Sequence, residues 1–314
     1  MLAFALVSGF SAADGSPVDN PAIRILSWNI SKDAFVTDPS VFRAVILRAD
    51  ADVLLLDEVL PSADAGLLQK ALAGSHSATE ETWHIDFGKS GGRQRNVIVS
   101  RAPVEALPEF SSVVPYPEAD RDTILQRMSD SDRSKMSGSL EDGIPVNGAI
   151  ILTGGRRLLV VIADLQCCGD DPQSWEEVLR RVEVREIRQL IRRILERTPV
   201  DGIVLAGDYN LVSTSVPLVI LAGPYRSPHL GLMPVELYHL DGSATWTWDG
   251  RGTRFPSRAL DYQLYGPRAL KVSGGFILDT EDLPSDELKR YGLQLNTSSQ
   301  LSDHRPLVVE YTWR

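Results

Sequence analysis

The sequence contains very little cysteine. Its only two cysteines in 314 residues, Cys167 and Cys168, are neighbours in the chain. Adjacent cysteines can form only a strained vicinal disulfide, and such a bond closes no useful loop. The sequence therefore excludes a small domain held together by disulfides. It also lacks a C-x-x-C pair of the kind that binds structural zinc.

Long apolar runs are absent as well. No segment approaches the roughly 18 apolar residues that a transmembrane helix requires, so we expect no stable membrane insertion. Residues 2–10 are apolar and precede three small residues, Ser11 to Ala13, a pattern typical of a short export signal. We expect residues 1–20 to be such a signal or a flexible start. The protein would then be exported, to the periplasm or out of the cell, or otherwise cytoplasmic.

Positive charge is in deficit, because 32 Lys and Arg face 42 Asp and Glu, for a net charge of −10. This balance argues against tight nonspecific binding to nucleic acid, although a local basic groove could still bind phosphate. With 43% hydrophobic residues the chain is long enough to bury a large core. No internal repeat divides it, so we expect residues 21–314 to form a single domain and a monomer.

Apolar runs typical of buried strands alternate with helical patterns along the chain. Asp38 with Pro39 marks one helix start, and Ser174 with Glu177 forms a capping box at the start of another helix. The alternation predicts an α/β layered fold. Residues 110–146 are polar and aperiodic, which predicts a long functional loop or a mobile insertion. Strands are predicted over residues 23–29, 53–56, 96–100, 158–164, 202–206, 261–265 and 306–311.

Acidic, amide or imidazole side chains stand at the ends of five of these apolar runs. In chain order they are Asn29, Asp57 with Glu58, Asp164, Asp208 with Asn210, and Asp303 with His304. In layered α/β folds, ligands gather at strand ends. Carboxylate and amide oxygens are hard ligands for Mg²⁺, and a histidine fixed by a carboxylate can stabilise a phosphoryl group. These residue types therefore predict hydrolysis of a phosphate ester.

Seven motifs, in this order along the chain, resemble the endonuclease/exonuclease/phosphatase superfamily, which has the DNase-I-like fold. They are LSWNI (26–30), DVLLLDEV (52–59), RNVIVSRAP (95–103), GDYN (207–210), TWTW (245–248), RALDYQLY (258–265) and SDHRP (302–306). The resemblance spans about residues 23–311. It implies a four-layer α/β sandwich, in which two mixed β-sheets pack face to face and helices lie outside.

The resemblance also implies roles for individual side chains. Glu58 would be the principal metal ligand, with Asn29 beside it on the metal or the phosphate. Asp303 would face the metal site, either as a ligand or by contacting a residue that is one. Asp208 would orient or deprotonate the attacking water, and Asn210 would hold a phosphate oxygen. Asp261 would hydrogen-bond to His304, and His304 would stabilise the phosphoryl group in flight. The implied cofactor is Mg²⁺ or Mn²⁺.

Two positions depart from the family pattern. Asp57 stands before the metal-binding Glu58, where the family usually has Gln. Asp164 stands where most members have His and some have Tyr, at a position that usually donates a hydrogen bond to phosphate. An ionised Asp164 would repel phosphate unless it bound a cation or took up a proton. We therefore count Asp164 among the catalytic candidates, with a role linked to the metal.

The sequence thus predicts a divalent-metal-dependent phosphoesterase that cleaves a phosphodiester or phosphomonoester by direct attack of water. The substrate stays open among a small diester, a phospholipid headgroup, a sugar phosphate and nucleic acid. A nuclease of the same fold and a catalytically weakened binding or scaffold member are the alternatives. The other histidines carry no motif, and we expect them to be surface or core residues; they are His76, His84, His229 and His239.

Overall fold

The structure is a computed structural model that describes residues 22–31, 34–75, 82–224 and 231–314. The expected N-terminal signal lies outside these residues, as do His76 and His229, so those interpretations stay predictions. Within the described part of the chain, no helix has both the length and the apolar composition that crossing a membrane requires.

The described residues form twelve strands arranged in two sheets of six. In chain order the strands are β1 (Ile23–Asn29), β2 (Val53–Val59), β3 (His84–Phe87), β4 (Arg95–Ser100), β5 (Val104–Ala106), β6 (Val146–Thr153), β7 (Arg156–Ala163), β8 (Gly202–Asp208), β9 (Met233–Pro234), β10 (Asp261–Tyr265), β11 (Leu270–Ile277) and β12 (Leu307–Trp313). The first sheet has the order β11-β12-β1-β2-β4-β3 and the second β5-β6-β7-β8-β10-β9. Both sheets are mixed, since β1 runs parallel to β2, and β7 parallel to β8, among otherwise antiparallel pairs.

Nine α-helices accompany these strands in the described ranges. They are α1 (Ala34–Thr37), α2 (Pro39–Ala49), α3 (Ala65–Leu72), α4 (Glu118–Arg127), α5 (Asp130–Asp142), α6 (Trp175–Arg197), α7 (Val216–Ala222), α8 (Ser285–Tyr291) and α9 (Thr297–Leu301). The two predicted helix starts are confirmed, because Asp38 caps α2 and the hydroxyl of Ser174 accepts from the backbone N–H of Glu177 at 3.2 Å.

Three apolar clusters show how the layers pack. One cluster joins both sheets and includes Leu55 of β2 and Val160 of β7. A second packs α2 and α3 on the outer face of the first sheet, and the third packs α6 on the outer face of the second. Strand residues alternate between the inner and outer clusters, as the period of two of a strand requires. The predicted four-layer sandwich is confirmed.

The prediction of a long loop over residues 110–146 was wrong, and the alternative of a mobile insertion stays a prediction. This segment contains α4 and α5. Each of these helices buries a single side chain, Ile124 in α4 and Leu140 in α5. Half-buried Leu125 and Met136 also pack against the core, but most other positions carry polar residues, so the sequence shows no repeating apolar pattern. Ser129 also caps α5 by accepting from the backbone N–H of Asp132.

Candidate active site

The ends of strands from both sheets meet at one place. In the first sheet, Asn29 at the end of β1 lies opposite Asp57 of β2. In the second, Asp208 at the end of β8 lies opposite Asp261 at the start of β10. The side-chain amide of Asn29 donates to the carboxylate of Asp208 at 3.2 Å and so connects the two sheets directly. The sandwich therefore brings together residues that are far apart in the chain.

His304 lies between two carboxylates. Its Nδ1 lies 2.8 Å from Oδ2 of Asp261, and its Nε2 lies 3.6 Å from Oδ2 of Asp208. Burial alone would lower the pKa of His304, but the two carboxylates outweigh it and raise the pKa to about 10. His304 is therefore a cation at neutral pH, with its ring fixed by Asp261. The hydroxyl of Thr247 donates to the same oxygen of Asp261 and holds that carboxylate in place.

The loop before β12 is fastened to β1, and this fixes the position of His304. The hydroxyl of Ser302 donates to the backbone carbonyl of Asn29 at 2.7 Å and accepts from the backbone N–H of His304 at 3.0 Å. The indole N–H of Trp28 donates to the carbonyl of His304 at 3.0 Å. The imidazole is thus held by the backbone and not by its side-chain contacts alone.

Glu58 reaches the site through a distortion of β2. Its φ is 56°, and the β2–β4 register shifts between Leu56 and Val59. A non-glycine residue in the left-handed region is uncommon, and a bulge of this kind re-aims side chains next to functional sites. The half-exposed Glu58 side chain accepts from the amide of Asn29 at 3.1 Å. Its neighbour Asp57 instead points into the protein and is fully buried.

Asn210 and Asp164 form a second group beside these residues. Asn210 also has a left-handed backbone, with φ 48°, and its backbone N–H donates to Asp208 at 3.0 Å. Its side-chain amide donates to the carbonyl of Leu165 at 2.8 Å and to Asp164 at 3.4 Å. The other oxygen of Asp164 accepts from the amide of Gln94 at 2.9 Å. Asp164 thus receives two amide donors, one of them the predicted phosphate-holding residue.

Three carboxyl groups at the site, those of Asp57, Asp164 and Asp208, have raised pKa values. Burial, and then repulsion from Asp208 and Glu58, raises the pKa of Asp164 well above its usual range. Burial, and then repulsion from Asp208 and Asp261, does the same for Asp57. Burial and repulsion from Asp261 raise the pKa of Asp208 to about 7, against the attraction of His304. Mutual repulsion of this kind is what a bound cation relieves.

The donor set fits a divalent cation. Half-exposed Glu58 and buried Asn29 lie side by side at the ends of β2 and β1. The Glu58 carboxylate and the Asn29 amide oxygen, which accepts from the backbone N–H of Ser31 at 3.1 Å, are hard ligands of the kind that Mg²⁺ and Mn²⁺ prefer. Asp208, Asp261 and His304 also lie close enough together to hold an ion. A metal-binding imidazole must be neutral, whereas the contacts of His304 with Asp261 and Asp208 favour its protonated form. Glu58 with Asn29 is therefore a pair of residues that could hold a metal.

Asp303 lies at the rim of the site and not inside it. Its side chain is exposed, and its carboxylate accepts from the indole N–H of Trp248 at 3.0 Å. Its predicted role facing a metal stays a prediction.

No role was assigned from the sequence to Gln94 or Thr247, two residues that contact the site. Thr247 stands within one of the family-like motifs, so a signal for it existed, whereas the residue type and position of Gln94 carried none.

The other histidines that the structure describes lie outside this site. His84 is exposed on β3. His239 is buried, with Nδ1 3.1 Å from the carboxylate of Asp282 and Nε2 2.8 Å from the carbonyl of Trp246. Both agree with the expected surface and core positions.

Asp57 provides a test of the site's electrostatics. It is 0% exposed, and neither carboxylate oxygen has a hydrogen-bond partner among the described residues. An aspartate titrates near pH 4 in an unfolded chain. Because the folded pKa is raised, stability falls as pH rises above about 4 toward the folded pKa. We expect Asp57→Asn to raise the melting temperature by a few degrees at pH 8, with a gain that shrinks toward pH 4.

Thermal unfolding followed by circular dichroism between pH 5 and 8, in EDTA, measures this gain. Asp241→Asn is the matched control, since hydrogen bonds from Ser243 lower the pKa of that exposed aspartate. The control should show no gain at pH 8. An Asp57→Asn protein that melts below the wild type at pH 8 would mean that an ionised Asp57 is stabilising.

Comparison with known proteins agrees with this geometry. A sequence profile described as the Endonuclease/Exonuclease/phosphatase family matches residues 26–304. No curated protein matches the sequence. Among solved structures, truncated TDP2 from Caenorhabditis elegans is similar at 15% identity, covering 93% of this chain and 98% of that one with a TM-score of 0.58.

Two further structures show the same fold. The human Nocturnin catalytic domain with bound sulfate is 18% identical, with 94% of each chain covered and a TM-score of 0.55. TDP2 from D. rerio, in complex with a single-strand DNA product, is 15% identical, covering 93% of this chain and 99% of that one with a TM-score of 0.54. The profile match spans most of the chain, and the chain therefore belongs to the endonuclease/exonuclease/phosphatase family.

Proposed function

We propose that the protein is a divalent-metal-dependent phosphoesterase that hydrolyses a phosphodiester or phosphomonoester by direct attack of water. The observation that carries this proposal is the position of the His304 cation between the carboxylates of Asp261 and Asp208, 2.8 Å and 3.6 Å away. Asn29 connects this group to Glu58. A fixed cation, a base and a hard ligand pair are the parts that phosphoryl hydrolysis requires.

Glu58 and Asn29 would hold the metal, with Asp303 near it. A bound divalent cation neutralises phosphoryl charge and lowers the pKa of water at the site. The left-handed backbone of Glu58 supports this assignment, because strained residues concentrate where a side chain must be held in one direction.

The protein's own side chains would supply the remaining chemistry. His304 donates its Nε2–H to a phosphoryl oxygen, while Asp261 holds Nδ1–H and keeps the ring charged. Asp208 accepts a proton from the attacking water, and its pKa of about 7 suits a base that works near neutral pH. Asn210 would share with a phosphate oxygen the amide hydrogen that meets Asp164 at the long distance of 3.4 Å.

Asp164 fits this scheme as a residue that positions Asn210. It accepts from the Asn210 amide and is itself held by Gln94. Because burial and neighbouring carboxylates raise its pKa, it is protonated over a wider range of pH than an ordinary aspartate. A neutral Asp164 lies beside phosphate without repelling it. The role linked to the metal that the sequence predicts stays a prediction.

A small diester, phospholipid headgroup or sugar phosphate is the substrate class that we favour. The net charge of −10 opposes nonspecific attraction to a polyanion. The D. rerio TDP2 structure with its single-strand DNA product keeps a nuclease as the second candidate. Both candidates use the same side chains and differ in what binds around them.

Hydrolysis of two model esters tests the proposal. We expect bis(p-nitrophenyl) phosphate or p-nitrophenyl phosphate to be cleaved with Mg²⁺ or Mn²⁺ and not in EDTA. Nicking of supercoiled plasmid at low and moderate salt would separate a nuclease from a small-molecule esterase. Cleavage that continues in EDTA would contradict the metal-dependent mechanism. No cleavage of either ester or of plasmid with any divalent metal would favour the weakened scaffold.

The pH profile should report the contact between His304 and Asp261. His304 is active as a cation, so the rate falls as pH rises through its raised pKa, which is about 10. Asp261→Asn removes a carboxylate at 2.8 Å, which lowers the pKa by about 1 to 3 units. We expect the alkaline limb of the kcat profile to move to lower pH by this amount.

Asp282→Asn is the control for that shift, because it removes the carboxylate that faces another buried histidine, His239, outside the site. Its pH profile should match that of the wild type. An Asp261→Asn enzyme with an unchanged alkaline limb and a near wild-type rate would remove Asp261 from the mechanism.

A further inference from the structure

The two cysteines lie together at the edge of the site. They stand in the loop between β7 and α6, three and four residues after Asp164. Both side chains are exposed, and the two Sγ atoms lie 2.7 Å apart. Neither residue belongs to the proposed hydrolytic machinery, and the mechanism above gives them no part.

The backbone holds the two thiols in this arrangement. Cys168 and Gly169 have consecutive left-handed conformations, with φ of 69° and 67°. A Cβ on Gly169 would lie 2.6 Å from the Ser174 hydroxyl, so the turn has no room for a larger residue. The close packing at Gly169 and the hydrogen bond from Arg180 to the Cys168 carbonyl hold Cys168 in this uncommon conformation.

A buried arginine holds this turn through hydrogen bonds to its backbone carbonyls. Arg180 is 0% exposed and donates to the carbonyls of Gln166 at 2.8 Å and Cys168 at 2.7 Å. Its charge is paired with Glu177, which is also buried. The backbone N–H of Gln166 donates to the buried carboxylate of Glu183 at 2.9 Å. The loop is thus anchored on both sides of the cysteine pair.

From this geometry we infer that Cys167 and Cys168 form a redox-active dithiol, a modification site that small-molecule disulfides convert reversibly into a vicinal disulfide. The sulfur atoms need to approach by only about 0.7 Å to reach a bond length of about 2.05 Å. This inference is independent of the proposed hydrolytic function. It places a covalent modification two residues from the Leu165 carbonyl that holds Asn210.

The reaction is a thiol–disulfide exchange in two steps. The Cys168 thiolate attacks one sulfur of a small disulfide RSSR, and one RS⁻ leaves and takes up a proton. This gives a mixed disulfide between Cys168 and R. Cys167 then loses its proton, and its thiolate attacks the Cys168 sulfur; the second RS⁻ leaves and takes up a proton. The two thiols are oxidised by two electrons, and the small disulfide is reduced to two thiols.

The charges around the pair favour Cys168 as the attacking group. The contact with Cys167 lowers the pKa of Cys168 to about 7, and the charge of Arg180 acts in the same direction against burial and Glu176. The contact with Cys168, and then burial, raises the pKa of Cys167. Only a thiolate is nucleophilic, so Cys168 reacts first near neutral pH.

The product should be easy to reduce. Adjacent Cα atoms are about 3.8 Å apart, whereas disulfides usually join Cα atoms about 4.4 to 6.8 Å apart. Disulfides outside the usual geometry are strained, and strained, exposed disulfides are the labile ones. Dithiothreitol should therefore restore both thiols.

The test treats the whole protein with 4,4′-dithiodipyridine and follows thiopyridone release together with the intact mass. The chain has two cysteines, so all thiopyridone comes from this pair. We expect the wild type to release two thiopyridones per chain, lose two hydrogen atoms and retain no pyridyl group. Cys167→Ser and Cys168→Ser should each release one and retain one pyridyl adduct. Both changes replace exposed side chains, so folding is not at risk.

A comparison with the unfolded chain tests whether the fold sets up the pair. We expect the second thiopyridone to be released at least ten times faster from the native protein than from protein in guanidinium chloride. A wild type that retains two pyridyl groups, or that forms disulfide-linked dimers, would overturn the inference. Equal or slower ring closure in the native protein would overturn it as well.

Discussion

Replacing His304 with alanine should lower kcat for ester hydrolysis by about 10²- to 10⁴-fold, the usual contribution of a positioned proton donor. His304 is the cation between Asp208 and Asp261, and its removal leaves those two buried carboxylates facing each other. Phosphoryl charge that develops in the transition state then has no donor at this position. KM should change much less than kcat, because the lost interaction strengthens in the transition state.

A second buried histidine provides the control for this experiment. His239→Ala removes an imidazole that also faces an aspartate, Asp282, at 3.1 Å, but outside the site. It should lower the melting temperature and leave kcat of the folded enzyme near the wild-type value. Steady-state kinetics at fixed Mg²⁺, with circular dichroism to check folding, measure both effects. A His304→Ala enzyme within about threefold of wild type would end the assignment of His304 as a catalytic residue.

Changing Glu58 to glutamine should be nearly as damaging. The substitution keeps the shape and removes the charge that we assign to the metal ligand. Metal assistance contributes several kcal/mol to such reactions, so we expect about a 10²- to 10³-fold loss of kcat/KM at a limiting metal concentration. Part of the loss should be recovered at high Mg²⁺ or Mn²⁺, since a weaker site fills at higher concentration.

Metal binding also has a readout that does not need activity. We expect Mg²⁺ or Mn²⁺ to raise the melting temperature of the wild type, because a ligand that binds the folded state stabilises it. This rise should be smaller in Glu58→Gln. Glu310→Gln is the control, because Glu310 pairs with Arg24 near the start of β1, away from Asn29 at its end. An undiminished rise in Glu58→Gln would move the metal to other residues.

Asp57 and Asp164, the two positions that depart from the family pattern, lie in different environments. Asp57 is buried beneath the site, where burial and then repulsion from Asp208 and Asp261 raise its pKa. Asp164 accepts two amide hydrogen bonds and holds the side chain that we assign to the phosphate. If Asp164 orients Asn210 as we propose, hydrolysis survives the replacement of the family's usual histidine, whereas the scaffold alternative predicts that it is lost.

Local sequence patterns were sufficient for seven of the twelve described strands and for helices α2 and α6. The alternation of strands and helices gave the α/β class, and the capping residues Asp38 and Ser174 marked helix starts correctly. Short-range patterns work for these features because caps and strand periodicity depend on neighbours in the chain. They failed at α4 and α5, where a single buried residue in each helix leaves no repeating pattern to read.

By itself the sequence determined the residue types of the site and their order along the chain, from Asn29 to His304. Only the tertiary structure decided which atoms meet, because those contacts join residues of two sheets that are far apart in the chain. The bulge that turns Glu58 outward and Asp57 inward depends on the pairing of β2 with β4. The contact of Gln94 with Asp164 and the raised pKa values arise from burial, which no short stretch of sequence specifies.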